Sequence, residues 1–582
     1  MLAPIAAWRR PLRPTAESCP AGWPHRAKAP WHDITRPIQA STPRMTRTSA
    51  GQSWRARPAG RIWRLALGST VAQAARWQAQ LLSRLIGGAT AGQFLTSSQH
   101  GASAAAAQSS DTGPGQAAAN PMLPRETALW ALVIALGASA RFLAARDGLW
   151  LDEVWSFTPE VAGRIHSLPD LFTRVHHENN HYLNTLAAWI LGPGRGATWY
   201  RMPSIIAGAG TILTAGLIAR RSGRIAGVAA VLLTAASYPL VHYSSEARGY
   251  AMAVFFGLVF WNVQTRYQET RERGWLLLAW LAGVLGILAQ PLLICLVAAS
   301  LATGLFNAAS KSGALASVAA VHAVPLVFFA WIYAVDLRHA QRPGGPIEPL
   351  WMVVLQTLSL AVGGPHSSGG WWGAGLCAFC LHLASLLWLR RQPEHNAGFC
   401  LLAAWLMPLA VVLIEGRAEV YPRYFLPGIA ILLINLGQAA EHAWQKGRWG
   451  KRLCLASLAL FVAANGVHIG RLLRDGRGRF DQVVEALSNA AGEGVLTVGG
   501  DHDFRIETML NYHASGLAAN RRIRYFRKGR WPTEGPTWLL THSFAVGHNP
   551  EPVVEAGTLR YALKRQFEYA GLSGWATFLY LR

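Results

Sequence analysis

Apolar and polar positions alternate along this chain on the wavelength of a polytopic membrane protein. Long apolar runs fall near 127–145, 201–219, 225–243, 247–264, 274–290, 291–309, 314–334, 372–389, 398–414, 424–440 and 452–470. Each approaches the roughly 20 residues that a helix needs to cross a hydrocarbon core about 30 Å thick, so the pattern predicts about eleven transmembrane helices. Two further apolar stretches, 182–192 and 350–364, are short for a span and predict interfacial or re-entrant segments. Beyond 470 the pattern changes. Val495-Leu-Thr-Val-Gly, Ile523–Phe526, Thr537–Thr541 and Thr577–Leu581 read as short strands, and Phe504–Tyr512 as an amphipathic helix. Residues 471–582 are therefore expected to form a small α/β or α+β domain, after an all-α membrane domain over 122–470.

The first 121 residues belong to neither pattern. They are rich in Ala, Pro, Arg, Ser and Gln, hold no apolar segment long enough for a signal peptide, and predict a basic, low-complexity, disordered tail. Within it, Arg61–Ile86 mixes apolar and basic residues at helical spacing suited to an anionic membrane face. Met122 stands directly before the first span as a second candidate start, which leaves the tail's place in the working protein open.

Composition changes the picture in two respects. At 51% hydrophobic and 14% charged, the 582 residues have too little polar surface for a soluble globule. The formal charge of +24 suggests a nucleic-acid partner, but residues 1–125 alone hold 15 Arg/Lys against three Asp/Glu, which is half of the excess. The rest lies mostly in short loops between spans, where basic residues set membrane orientation, so no nucleic-acid partner is expected. Of the six cysteines, all but Cys19 lie in apolar runs and read as small core residues; Cys377 and Cys380 form a lone C-x-x-C without a second pair.

The basic loops orient the chain. Arg220–Arg224, the 266–273 cluster, Lys311, Arg390-Arg391 and the Lys446–Arg452 cluster are expected on the cytoplasmic side, with a cytoplasmic N-terminus. Provided that 182–192 and 350–364 do not cross, Asp152-Glu153, the 176–181, 242–250, 335–349 and 415–423 segments and all of 471–582 then share the outer face of a cell (plasma or inner) membrane.

Four groups there carry chemistry. Asp152-Glu153, flanked by Trp150, Trp155 and Phe157, is either an acid-rich helix start that complements the helix dipole or a partly dehydrated general base. His176-His-Glu-Asn-Asn-His181-Tyr182 contains a literal H-E-x-x-H, but Asn179-Asn180 is a poor helix interior for a zinc protease, and the same residues suit a sugar or phosphate pocket. His242-Tyr-Ser-Ser-Glu246-Ala-Arg248-Gly-Tyr250 lies between two spans, where Glu and Arg could simply pair, or where Arg248 could clamp a lipid phosphate. Glu415-Gly-Arg417-Ala-Glu-Val-Tyr421-Pro-Arg423-Tyr424 opens the tenth run, as an interfacial anchor would.

The order of these groups, with Arg201-Met-Pro-Ser opening the second run and Pro-Arg-Tyr-Phe-Leu-Pro late in the chain, resembles the GT-C superfamily of integral-membrane glycosyltransferases over about residues 127–440. The branch it looks most like is family 39-like and RgtA/B/C/D-like, related to protein O-mannosyltransferases and to the aminoarabinose transferase of lipid A. The resemblance implies transfer of one sugar from a polyprenyl-phosphate carrier, on the non-cytoplasmic face, to a lipid, glycan or protein acceptor, without a nucleotide-sugar. It implies Asp152 as catalytic base with Glu153 beside it, and Arg248, Tyr250, Arg423 and Tyr424 at the donor phosphate. His177, Asn180, His181 and Glu246 are expected to bind substrate; the family's commoner His-Pro-Pro-Leu-Tyr-Tyr is replaced here by Asn180-His181-Tyr182-Leu183-Asn184. No metal and no cofactor is called for, because arginines can neutralise a monophosphate leaving group. The rivals are a transporter or flippase of a lipid-linked polar solute, against which no internal duplication is found, and a non-catalytic membrane subunit.

Overall fold

The apolar runs become helices in a computed structural model, which describes residues 122–582 except 157–162, 309–313, 341–346, 367–368, 393–395, 417–418, 492–493 and 518–521. The expectations for residues 1–121, with Arg61–Ile86, and for Phe157, Lys311 and Arg417 lie outside the described residues. Among the described residues, eight helical segments are long and apolar enough to cross a membrane: Pro124–Ala144, Ala197–Ser222, Pro291–Ala308, Ala314–His339, Trp371–Leu389, Ala397–Ile414, Pro422–Gln445 and the one that begins with the Arg448–Asp475 helix. Arg224–Ala236 and Tyr238–Ser244, bent by 58°, make a ninth if taken as one broken span. Two more runs form the helices Tyr250–Thr270 and Arg273–Ala289, but the first ends in a polar stretch from Asn262 to Thr270 and the second is only 17 residues long. Length and composition therefore support eight or nine spans, not the predicted eleven. The short stretches form Tyr182–Leu191 and Leu350–Ala361, both too short to span.

Burial separates the centre of the bundle from its rim. Pro422–Gln445 is 72% buried over its apolar window and Pro124–Ala144 only 28%, and the outward residues of the rim helices, such as Leu136, Val327 and Leu460, are large and apolar. Apolar side chains facing outward on helices of this length mark a lipid-facing surface.

The broken span explains a charge in the first apolar run. Pro239 has no N–H to give the carbonyl of Ala235, so the Arg224–Ala236 helix ends with free acceptors. Arg141, fully buried on Pro124–Ala144, donates to Thr234 O at 3.2 Å and Ala235 O at 3.3 Å. A cation at a helix C-terminus also complements the dipole.

The bundle has two distinct ends. At one, Glu126 pairs with Arg220 at 2.8 Å and Arg224 at 3.2 Å, in a loop rich in arginine. At the other sits the C-terminal domain, where Arg448–Asp475 is followed by helices Phe480–Ala491 and Asp503–Ala514 and a six-stranded sheet. The strands are β1 Val495–Gly500, β2 Arg522–Tyr525, β3 Trp538–Ser543, β4 Val553–Ala556, β5 Leu559–Phe567 and β6 Ala576–Leu581, in the order β2-β1-β3-β6-β5-β4. β1 runs parallel to β2 and β3, whereas β6, β5 and β4 extend the sheet antiparallel. The strand and helix signals after 470 all match elements here; β4, β5 and the Phe480–Ala491 helix had no expectation.

This domain shares a core with the helix that follows the first span. Trp150, Leu151 and Val154 pack with Tyr200 from the membrane bundle and with Phe480, Val483, Leu487, Ile506 and Leu540 from the domain. The short Leu151–Ser156 helix is thus clamped on two sides, and its remaining faces present the acids.

Candidate active site

Successive residues of a helix point about 100° apart, so the two adjacent carboxylates cannot share an environment. Glu153 is fully buried and takes four donors: Arg201 Nε at 2.8 Å and Nη2 at 2.6 Å, the Trp150 N–H at 3.1 Å and the Ala247 N–H at 2.6 Å. The bond from Trp150 is one half of a capping box, in which the third helical residue reaches back to the cap. Arg201 extends the network to Asp147 at 2.6 Å, and Arg477, entering from the C-terminal domain, joins Asp147 at 3.1 Å and Glu246 at 3.2 Å. His242 meets the same Glu246 oxygen at 3.1 Å. Burial alone would raise the Glu246 and Asp147 carboxyls; His242 and Arg477 on Glu246, and Arg201 and Arg477 on Asp147, hold both below the usual range. The result is a closed ionic lattice joining the first outer helix, the bundle and the C-terminal domain.

Asp152 lies outside that lattice. Its side chain keeps 19% of its accessibility, and its Oδ2 is 2.8 Å from Arg248 Nη1 and 3.8 Å from Arg423 Nη1. The loop that carries Arg248 is pinned through its backbone: Ser204 donates to the Arg248 carbonyl at 2.8 Å and Asn184 to that of Ala247 at 2.6 Å. Gly249 lets this loop run against the Ala289 carbonyl, where any Cβ would collide. Arg248 and Arg423 share a wall of rings. Arg248 lies 4.9 Å from the ring centre of Tyr250 and 5.6 Å from that of Trp150, and Arg423 lies 4.1, 5.8 and 6.0 Å from Tyr421, Tyr424 and Tyr250. The Nε atoms of both arginines are buried with no hydrogen-bond partner. Unpaired guanidinium donors facing one partly open carboxylate are suited to an additional anion.

Asn179 ties the acid to the arginine. Its Nδ2 donates to the Asp152 carbonyl at 2.5 Å and to Ser156 Oγ at 2.8 Å, while its Oδ1 accepts from Arg248 Nη2 at 2.6 Å. Asn180, in contrast, donates to the carbonyls of Leu171 and Val175 and accepts from Thr185, which folds its own loop. His177 stacks on Trp155 with ring centres 5.1 Å apart, and burial, assisted by Arg164, pushes its pKa down to about 4. His181 is buried edge-on to Tyr250 at 5.0 Å, and burial with the Arg248 charge holds it well below the usual histidine value. The helix begins only at Tyr182, so His177 and His181 do not share a helix face as a zinc-protease motif requires. Glu178 lies 3.5 Å from the Tyr424 hydroxyl. A separate cavity of about 450 Å³, lined by Thr303, Phe306, Arg390 and Asn396 among others, contains none of these groups.

The structure thus brings Asp152, Arg248, Tyr250, Arg423, Tyr424, His177 and His181 into one neighbourhood. It sets Glu153 and Glu246 in the ionic lattice and Asn180 in a loop-closing role. Asn179, Asp147 and Arg477 were not singled out from sequence. Asn179 stood in the polar segment already flagged, whereas Asp147 and Arg477 carry no local signal and meet only through the fold.

No family model matches the chain, and no curated protein does. The fold is similar to two crystal structures of ArnT from Cupriavidus metallidurans. The first, in the apo state, is 13% identical with a TM-score of 0.47, covering 71% of this chain and 93% of that one. The second, bound to undecaprenyl phosphate, is 15% identical with a TM-score of 0.43, covering 78% and 98%.

Proposed function

We propose that this chain is a GT-C type glycosyltransferase that moves one sugar from a polyprenyl-phosphate carrier to an acceptor hydroxyl on the non-cytoplasmic face. The observation that carries the reading is one accessible carboxylate, Asp152, 2.8 Å from one buried arginine and 3.8 Å from another, each with an unpartnered donor. Asp152 takes the proton of the acceptor hydroxyl as its oxygen attacks the anomeric carbon. The bond from that carbon to the carrier phosphate breaks, and the phosphate keeps the electron pair. Arg248 and Arg423 stabilise the charge that develops on it, and Tyr250 and Tyr424 hold those guanidinia in place. Glu153 acts as a structural anchor for Asp152, not as a second base. The distribution of basic loops supports a site and a C-terminal domain outside the cytoplasm.

The reading is tested by mass spectrometry of the glycolipids, glycans and glycoproteins of cells with and without this chain. One sugar should be missing from one acceptor class when the chain is absent; identical profiles would argue against a transferase.

A further inference from the structure

Arg505 stands in the first turn of the Asp503–Ala514 helix of the C-terminal domain, which packs against the Leu151–Ser156 helix that carries Asp152. Its neighbour Phe504 meets Trp155 edge-on at 6.0 Å, and Trp155 is the ring on which His177 stacks. The Arg505 guanidinium lies 4.9 Å from the ring centre of Phe544, and its Nη1 is 2.7 Å from His542 Nε2. A guanidinium has no lone pair to offer, so Arg505 donates and His542 Nε2 accepts. His542 Nδ1 therefore carries the ring's proton and donates to Asp501, 2.8 Å away. Asp501 in turn is fixed by the His542 backbone N–H at 2.8 Å.

This relay differs from every arginine in the ionic lattice. Arg201 and Arg477 are held by carboxylates, which cancel their charge. Arg505 is instead held through the His542 ring, which orients it and keeps the Asp501 carboxylate one residue away; among the described residues no carboxylate forms a direct ion pair with it. Burial pulls its pKa down, opposed by the Asp501 charge above all. A partly dehydrated cation without a direct ion-pair partner, on a helix packed against the one that carries Asp152, has the character of a site awaiting an anion.

We propose that Arg505 is a further anion-binding residue of the site, supplied by the C-terminal domain, which takes a phosphate or carboxylate oxygen of a reactant, with His542 and Asp501 as its positioning residues. The inference rests on the transferase reading for the identity of the reactants, but not for the presence of an anion site. Two sources of that oxygen fit the chemistry: the phosphate of the donor carrier, or an anionic group on the acceptor.

The test uses the full chain in lipid nanodiscs with two probes, undecaprenyl phosphate and phosphatidic acid, and compares wild type with Arg505→Gln, Arg505→Lys, His542→Gln and His542→Ala. Thermal unfolding is recorded for each. If the donor phosphate is the ligand, Arg505→Gln weakens undecaprenyl phosphate binding about tenfold or more. If an acceptor group is the ligand, that affinity is retained, and phosphatidic acid binding at saturating undecaprenyl phosphate falls by about the same factor. In either case His542→Ala acts in the same direction, and His542→Gln, whose amide oxygen can accept the same bond, less so. Unchanged affinity for both probes in a folded Arg505→Gln protein overturns the proposal. So does a loss of thermal stability without a change in either affinity, which would make Arg505 a clamp on Phe544 only. If wild type binds phosphatidic acid through Arg505 but not undecaprenyl phosphate, the anion site stands and the carrier assignment fails. If it binds neither, both fail.

Discussion

Glu153 and Asp152 are consecutive residues on one six-residue helix, and they live in opposite electrostatic worlds. Glu153 sits in a sealed lattice with Arg201, Asp147, Arg477 and Glu246, where every carboxylate has at least one guanidinium partner. Asp152 faces an unfinished one, in which the arginines outnumber the acid they approach and retain unused donors. The sealed region holds the first outer helix, the bundle and the C-terminal domain in register. The open region has charge to give to a ligand, and its precision depends on the sealed one: Glu153 fixes the helix on which Asp152 stands. Position along the sequence does not separate the two roles; the direction in which each side chain leaves the helix does.

The contrast can be broken most severely from the sealed side. Arg201→Ala leaves Glu153 and Asp147 buried with much of their compensation removed, a loss on the order of 3–5 kcal/mol. Thermal unfolding of the purified protein should show a large drop and poor recovery of folded material. An unaltered melting temperature would return Glu153 to the candidates for proton transfer.

A smaller and more selective effect is expected on the open side. Arg248→Lys keeps the charge but loses the planar fork, and should weaken undecaprenyl phosphate binding about tenfold with little change in melting temperature. Equal affinity would make Arg248 a membrane-surface anchor.

The smallest effect is a pH slope. His177 has a pKa near 4 when folded, against 6.5 for an unperturbed histidine. The unfolded chain therefore binds more protons between those values, and the stability that depends on a neutral His177 is fully present above pH 6.5 and drains away as pH falls towards 4. His177→Phe keeps a ring against Trp155 and removes that term. Melting curves of the two proteins should converge or cross as pH is lowered through this window; parallel curves would mean that His177 does not titrate as its burial implies.

What the sequence disclosed divides along the same line. The helices were legible because lipid-facing and core-facing side chains are both apolar, so each span declares itself as a run; the count of eleven is not confirmed, because Tyr250–Thr270 loses its apolar character in its last turns and Arg273–Ala289 is short. Asp152, Arg248 and Arg423 stood out as charges at run boundaries, where a charge needs a partner or a ligand. Which partner could not be read. Glu246 looked as exposed to substrate as Arg248, two residues away, until Arg477, 231 residues downstream, met it from the C-terminal domain. Asn180 likewise resembled a sugar-binding amide, but its amide faces Leu171 and Val175 while Asn179 reaches the site. A one-residue step in an irregular loop leaves no periodic trace, and contacts across hundreds of residues leave no local one. Arg505 escaped notice for a related reason: an arginine in an amphipathic helix is ordinary until Phe544 and His542 hold it and its neighbour Phe504 meets Trp155.

The central claim is that the open carboxylate does chemistry and the sealed one does not. It is tested most directly by returning Asp152→Asn to cells that lack the chain and measuring, by mass spectrometry, the sugar whose addition depends on it. The amide matches the carboxylate in shape but cannot take the hydroxyl proton, a loss of about 10²-fold or more in rate. The account predicts a variant made in normal amount, with the melting temperature of wild type, and the sugar missing as it is without the chain. The sugar restored to its wild-type level would contradict it.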